Sequence, residues 1–265
     1  MFKLNRKIHK AISELEMVEV TEVDGVRSMH LGSPTIQSSM KVKDPFALVL
    51  AYSWGMLSSL LFKPDIHNTI LVGLGGGSIA KYVWQACPQI KQTVIELNPQ
   101  VIQVARSHFF VPDDDERLSI VEGDGIAYIQ QHPGSCDWLM MDAFGSNGLP
   151  PDFCTQAFFD DCAEALTPDG LFAINLWGSD KKFDIYMQRI EQTFEQRVLM
   201  MPTGKPGNII VFGFMPELAM PDLITLRKRA QEAMQTHAIQ FLDLIDRLQG
   251  ANPNDGKAFT LGRDS

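Results

Sequence analysis

Apolar and polar residues alternate along residues 15–31, LEMVEVTEVDGVRSMHL, on both sides of Asp24-Gly25. Period-two patterning around an Asp-Gly pair predicts a hairpin with the pair at its turn. A short extended piece, SPTIQSSM, follows. These segments predict a small β-rich unit over residues 1–43. The next stretch, Pro45 to Phe62, carries no charge. It is about long enough to span a bilayer. Pro45, Ser53, Gly55, Ser58 and Ser59 dilute its hydrophobicity, so the expectation is a buried core helix, with Asp44 as N-cap and Pro45 in the first turn.

From Asn68 the pattern changes to short apolar runs alternating with amphipathic ones. TILVGL, QTVIEL, LSIVEGD, DWLMMDAF and LFAINLW read as strands. SIAKYVWQA, NPQVIQVARSHFF, DGIAYIQQ, CTQAFFDDCAEAL and KKFDIYMQRIEQTF read as the intervening helices. Strands that alternate with helices build a parallel sheet covered on both faces. QRVLMM and NIIVFGF then follow, joined by PTGKPG, a turn too short for a crossover helix, so this pair is antiparallel. The pattern predicts an α/β fold: a class I methyltransferase-like, Rossmann-type doubly wound sheet with a terminal antiparallel hairpin, over residues 44–220. Residues 222–249 repeat apolar positions at helical spacing (Leu223, Leu226, Ala230, Met234, Phe241, Leu244, Ile245, Leu248) and predict one extra C-terminal helix, within 221–250. The polar tail, 251–265, is expected to be mobile.

Composition narrows the function. The 265 residues carry a formal charge of −9 and a pI near 5.1, which argues against nucleic acid, whose binders present a basic face. An acidic surface suits a cationic substrate, and more simply reflects an ordinary acidic cytoplasmic protein. MFKLNRKIHK has basic residues but no apolar run behind it, so no signal peptide and no membrane association are expected. Cys87, Cys136, Cys154 and Cys162 show no metal-ligand spacing and read as reduced thiols. No metal is expected.

Chemistry concentrates at four strand ends. Gly73, Gly75, Gly76 and Gly77, followed by Ser78, lie between the first parallel strand and a helix, where glycines let the backbone approach a ligand. The GxGxG spacing suits a nucleoside without a pyrophosphate. Glu96 ends the second strand, where a carboxylate can accept ribose hydroxyls. Asp124, with Gly125, follows the third, placed for the adenine amine or for capping the next helix. Asp142 ends the fourth, where a carboxylate can orient an amine nucleophile and accept its proton, or merely brace the loop.

Four stations in this order are more specific than any one. GLGGGSIA, VIELNP, GDG, MDAFGSNGLPP and INLWG resemble the spermidine synthase family, most closely its divergent spermidine synthase-like branch, over about residues 15–215. That family moves an aminopropyl group from decarboxylated S-adenosylmethionine to a diamine and releases methylthioadenosine. The resemblance implies that Glu96 binds ribose, that Asp124 binds adenine and that Asp142 is the catalytic aspartate. It also implies that Tyr52 lines the active site and that Gln37 lies near the nucleoside. Family members are commonly dimers or tetramers, so a homo-oligomer is expected.

The departures bear on substrate. Where the resembled synthases carry GGGD, with the acid holding the donor's ammonium, this chain has Ser78. Where they carry a second acid after the fourth strand, it has Gly145. The usual Tyr-His-Glu reads Tyr52-Ser53-Trp54. A buried ammonium without a partner is costly. Three readings therefore stand: aminopropyl transfer to an amine acceptor, methyl transfer from S-adenosylmethionine itself, and non-catalytic nucleoside binding.

Overall fold

The protein is described from a computed structural model, which covers residues 6–12, 17–145, 148–204 and 207–262. The N-terminal strands are β1 (Arg6–Ile12), β2 (Met17–Val23), β3 (Val26–Leu31) and β4 (Ile36–Lys41), paired in sequence as one antiparallel sheet. Asp24 and Gly25 both take positive φ, 53° and 76°, as a tight hairpin turn with right-handed strand twist requires. The hydrophobic pattern revealed β2 to β4. It did not reveal β1, whose sequence RKIHKAI shows no clean alternation.

Asp44 does not cap a helix. The chain turns through 44–50, and α1 (Ala51–Leu57) and α2 (Ser59–Phe62) follow. Side chains take over the carbonyls that an earlier helix would have used. Lys81 Nζ donates to Pro45 O at 2.8 Å, Trp54 Nε1 to Leu48 O at 3.2 Å, and Ser53 Oγ to Leu50 O at 2.6 Å. Gly55 fixes the seat of α1, because a Cβ there would come within 2.7 Å of Ile210.

The large sheet comprises β5 (Asn68–Val72), β6 (Lys91–Glu96), β7 (Leu118–Glu122), β8 (Cys136–Met141), β9 (Leu166–Trp177), β10 (Val198–Pro202) and β11 (Asn208–Phe214). Their order is β10-β11-β9-β8-β5-β6-β7; β5 to β9 are parallel, and β11 and β10 antiparallel. This is the expected α/β architecture. Alternate residues divide the core. Leu71, Val94, Met140 and Ala173 face one layer with α3 (Ser78–Ala86) and α4 (Pro99–Phe109). Ile70, Ile95, Leu139 and Phe172 face the other, with α5 (Gly125–Gln130), α6 (Gln156–Ala165) and α7 (Phe183–Thr193). Strands buried on both faces read as near-continuous apolar runs, which made them legible.

The C-terminal segment differs from expectation. It forms two helices, α8 (Leu223–Ala233) and α9 (Phe241–Ala251). Ala230 and Phe241 are about three helical turns apart, so their periodicity does not register the break between them. The two faces meet different surfaces: α8 packs on α2 and α9 on β10. Their apolar residues join the core of this same chain. The tail is also held through residue 262. Asn252 Nδ2 donates to Met200 O at 2.7 Å and its Oδ1 accepts Met200 N–H at 2.8 Å, pairing the edge strand β10. Asn254 and Phe259 form a bridge, and Phe259 and Leu261 pack on the core. Among the described residues, no helix is long and apolar enough to cross a membrane.

Candidate functional site

A cavity of about 930 Å³ opens at the carboxyl ends of the parallel strands. That is the expected ligand position in an open α/β sheet, and the volume suits a small molecule. Gly73, at φ +94°, lets the end of β5 lie against β8; a Cβ there would come within 2.3 Å of Asp142 O. Gly73 and Gly75 line the cavity. Gly76, Gly77 and Ser78 are not among its lining residues. Gly77 serves packing instead, since at φ +66° a Cβ would come within 2.3 Å of Val111. Ser78 opens α3. The loop is further fixed from the small sheet, where Ser38 Oγ accepts Gly76 N–H at 2.8 Å.

Glu96 ends β6 and is clamped to that loop. Its Oε2 accepts Leu74 N–H and its Oε1 accepts Asn98 N–H, both at 2.9 Å. Burial raises its pKa above the ordinary carboxylate range, and the backbone amides oppose the rise. Asp124 is the N-cap of α5, its Oδ1 accepting Ile126 N–H at 2.8 Å, and it also lines the cavity with Gly125. The capping is observed, and it is compatible with a ligand contact from the same carboxylate.

Asp142 follows β8 and reaches the cavity floor. Its Oδ1 accepts Asn175 Nδ2 at 3.0 Å. Tyr52, carried by α1, lines the cavity beside it, and its hydroxyl favours the ionised carboxylate. Burial pushes Asp142 up to about 6, with the bonds from Asn175 and Tyr52 working in the other direction. Tyr52 is itself raised well above its usual value by burial and by Asp142. Its hydroxyl donates to Gln37 O at 3.4 Å, and Gln37 Nε2 reaches Gly145 O at 3.5 Å. Gln37 and Tyr52 are thus beside Asp142, although they arrive from the small sheet and the connecting helix.

The carboxylates on the cavity wall are Glu96, Asp124, Asp142 and Asp152; no Lys, Arg or His joins them among the described residues. The remaining wall is neutral or aromatic. Phe144 and Trp177 stack with centroids 5.8 Å apart, and Asn175, Thr203 and Asn208 complete that end. Phe144, Asn175 and Trp177 fall inside MDAFGSNGLPP and INLWG but were not expected as site residues, and Thr203 and Asn208 lie outside those motifs. Asn175 had one visible signal, a lone amide inside the apolar run LFAINLW. Among the described residues, no group of three His, Cys, Asp or Glu side chains could hold a metal ion. All four cysteines are buried free thiols.

Residues 57–213 match the family model of the spermine/spermidine synthase domain. The chain belongs to the spermine/spermidine synthase family. It is 36% identical over 252 residues to a polyamine aminopropyltransferase of Chromobacterium violaceum, covering 95% of this chain and 97% of that one. Its fold is similar to that of a spermidine synthase solved with the transition-state analogue AdoDATO, with a TM-score of 0.73 at 18% identity over 91% of this chain and 85% of that one. Human methyltransferase-like protein 13, solved with SAH, shares the fold at a TM-score of 0.65 and 23% identity, over 71% of this chain and 92% of that one. Family membership gives the cavity a context, and its walls carry the chemical argument.

Proposed function

We propose that this chain transfers an aminopropyl group from decarboxylated S-adenosylmethionine to an amine acceptor, with Asp142 as the base. The observation that carries the reading is the placement of Asp142: a carboxylate with a raised pKa, at the floor of a cavity that holds acids and no described cation. Such a wall favours a donor with an ammonium and a sulfonium, and a cationic acceptor. S-adenosylmethionine also carries a carboxylate, for which the described wall offers no charged partner. Methyl transfer is therefore not favoured, and a purely binding role leaves the tuned Asp142 without a purpose.

In this reading Glu96 holds the ribose, and Asp124 the adenine amine. The acceptor nitrogen attacks the carbon next to the sulfonium. A C–N bond forms, the C–S bond breaks, and its electron pair leaves with sulfur as methylthioadenosine. The nitrogen's proton passes to Asp142 and then to water. An aliphatic ammonium titrates near 10 and an ordinary aspartate near 4, a gap of about six pH units. Raising Asp142 to about 6 narrows that gap and leaves the group ionised at neutral pH. Positioning supplies much of the remaining acceleration, since the sulfonium is already a good leaving group.

The test is release of methylthioadenosine from the purified protein with decarboxylated S-adenosylmethionine and a series of linear aliphatic diamines. Turnover is expected with the decarboxylated donor and not with S-adenosylmethionine. Absence of release with every diamine would overturn the reading. A cytoplasmic, homo-oligomeric enzyme is part of the same proposal, and sedimentation of the full chain tests its oligomeric state.

A further inference from the structure

We propose that Asn208 and Asn175 form an amide relay that positions the Asp142 carboxylate, Asn175 by direct contact and Asn208 through Asn175. The inference rests on the reading of Asp142 as the base, and it assigns two positioning residues, Asn175 within INLWG and Asn208 outside any of the quoted motifs.

The geometry is specific. Asn175 is 2% exposed and sits within β9. Its Nδ2 donates to Asp142 Oδ1 at 3.0 Å, and its Oδ1 accepts Asn208 Nδ2 at 2.9 Å. An amide presents two donors at one end and an acceptor at the other. Turned over, Asn175 would set its oxygen against a carboxylate oxygen and its NH₂ against that of Asn208. Both contacts would be repulsive. The two bonds therefore select one orientation of Asn175, and that orientation holds one oxygen of Asp142. The main chain of Asn208 is held at the start of β11, where its backbone carbonyl accepts Thr203 N–H and Thr203 Oγ1–H, both at 2.9 Å, which sets the position from which its side chain reaches Asn175.

Neutral amides fit this task better than a cation. Lys or Arg at position 175 would orient Asp142 by forming an ion pair, and would then repel an ammonium arriving at the same carboxylate. An amide orients the oxygen and leaves the charge for the substrate.

The surroundings set the direction of the test. Tyr52 of α1 also faces Asp142, and its hydroxyl favours the ionised form. Elsewhere on the cavity wall are Glu96, Asp124 and Asp152, with no Lys, Arg or His among the described lining residues. Loss of the Asn175 donor therefore leaves burial opposed by one donor fewer, and Asp142 must hold its proton to higher pH.

The experiment is a ¹³C NMR titration of carboxyl-labelled aspartate in the full-length protein, with Asp142 assigned from Asp142→Asn. Asn175→Leu should move the Asp142 midpoint upward from about 6 by about one to two pH units, the loss of one charged hydrogen bond. Asn208→Leu should move it in the same direction by less, and should add nothing in the Asn175→Leu background. Asn175→Gln should recover part of the shift. If Asn175→Leu does not fold, Asn208→Leu, at the half-buried start of its strand, decides alone. An unmoved midpoint in either single variant, or additive shifts in the double, would overturn the relay. The acid limb of kcat should follow the NMR midpoint, while the affinity for methylthioadenosine stays unchanged. If the midpoints move as expected but the wild-type protein turns over no amine, the relay stands and the aminopropyl reading fails.

Discussion

The two ends of the cavity are built differently. At the end proposed for the nucleoside, Gly73, Gly75, Glu96 and Asp124 come from consecutive strand–helix units, and each is placed by its own strand. Their polar groups are satisfied largely by nearby backbone, as in Glu96 with Leu74 and Asn98. At the end proposed for the acceptor, Asp142 meets Tyr52 from α1 and Asn175 from β9, and Asn208 from β11 backs Asn175. Gln37 from β4 completes the group. Apart from β4 and α1, which follow one another in the chain, these segments are separated by intervening elements. The first end is a property of the doubly wound core. The second depends on the terminal hairpin and on how other elements dock on it.

The sharpest way to separate the ends is Asp142→Asn. It should lower kcat by about 10²–10⁴-fold, the range for a lost general base, with little change in methylthioadenosine affinity by calorimetry. In the wild type, kcat should rise with pH through about 6, as Asp142 ionises. The same variant should be more stable. The folded-state pKa lies above the unfolded value of 3.8, so native stability falls as pH rises through that interval. Asp142→Asn should therefore gain on the order of 1–3 kcal/mol at pH 7 and nothing at pH 3, read as denaturation midpoints. A large loss of nucleoside affinity in this variant would merge the two ends.

Glu96→Ala should do the reverse. Loss of charged hydrogen bonds to ribose should weaken methylthioadenosine binding by about 1.5–3 kcal/mol. It also strips the Leu74 and Asn98 amides of their acceptor, so the melting temperature should fall. Unchanged affinity would remove Glu96 from the ribose site.

A smaller effect is expected at Arg247 of α9, whose Nη1 donates to Thr203 O at 2.7 Å. Arg247→Ala should loosen the acceptor rim and cost about 1 kcal/mol in kcat/KM for the amine, leaving nucleoside affinity intact. Equal losses at both ends would mean that α9 supports the whole domain rather than the hairpin.

The smallest effect belongs to Ser78→Asp. The sequence made Ser78 a candidate for choosing the donor. The structure sets it at the start of α3, off the cavity wall. A charge there is screened and mainly complements the helix N-terminus. The ratio of dissociation constants for the decarboxylated and full donors should change by less than about threefold. A larger change would bring Ser78 back to the site.

Local chemistry determined much of this protein. Apolar runs flanked by turn residues marked every strand of the large sheet, and the glycines, Glu96, Asp124 and Asp142 were legible because each sits at the end of such a run. Asp24-Gly25 announced its turn. Tertiary structure decided what one-dimensional patterning does not encode. The break between α8 and α9 preserves helical phase, so only the differing surfaces beneath α2 and β10 reveal it. The helix expected at Pro45 is delayed because Lys81 and Trp54, distant or later in the chain, claim its carbonyls. Asn175 looked like an anomaly in an apolar strand until β8 and β11 placed Asp142 and Asn208 on either side of it. Strand ends are fixed by neighbours in sequence, and hydrogen bonds between side chains of non-adjacent strands are fixed by the order in which the sheet assembles.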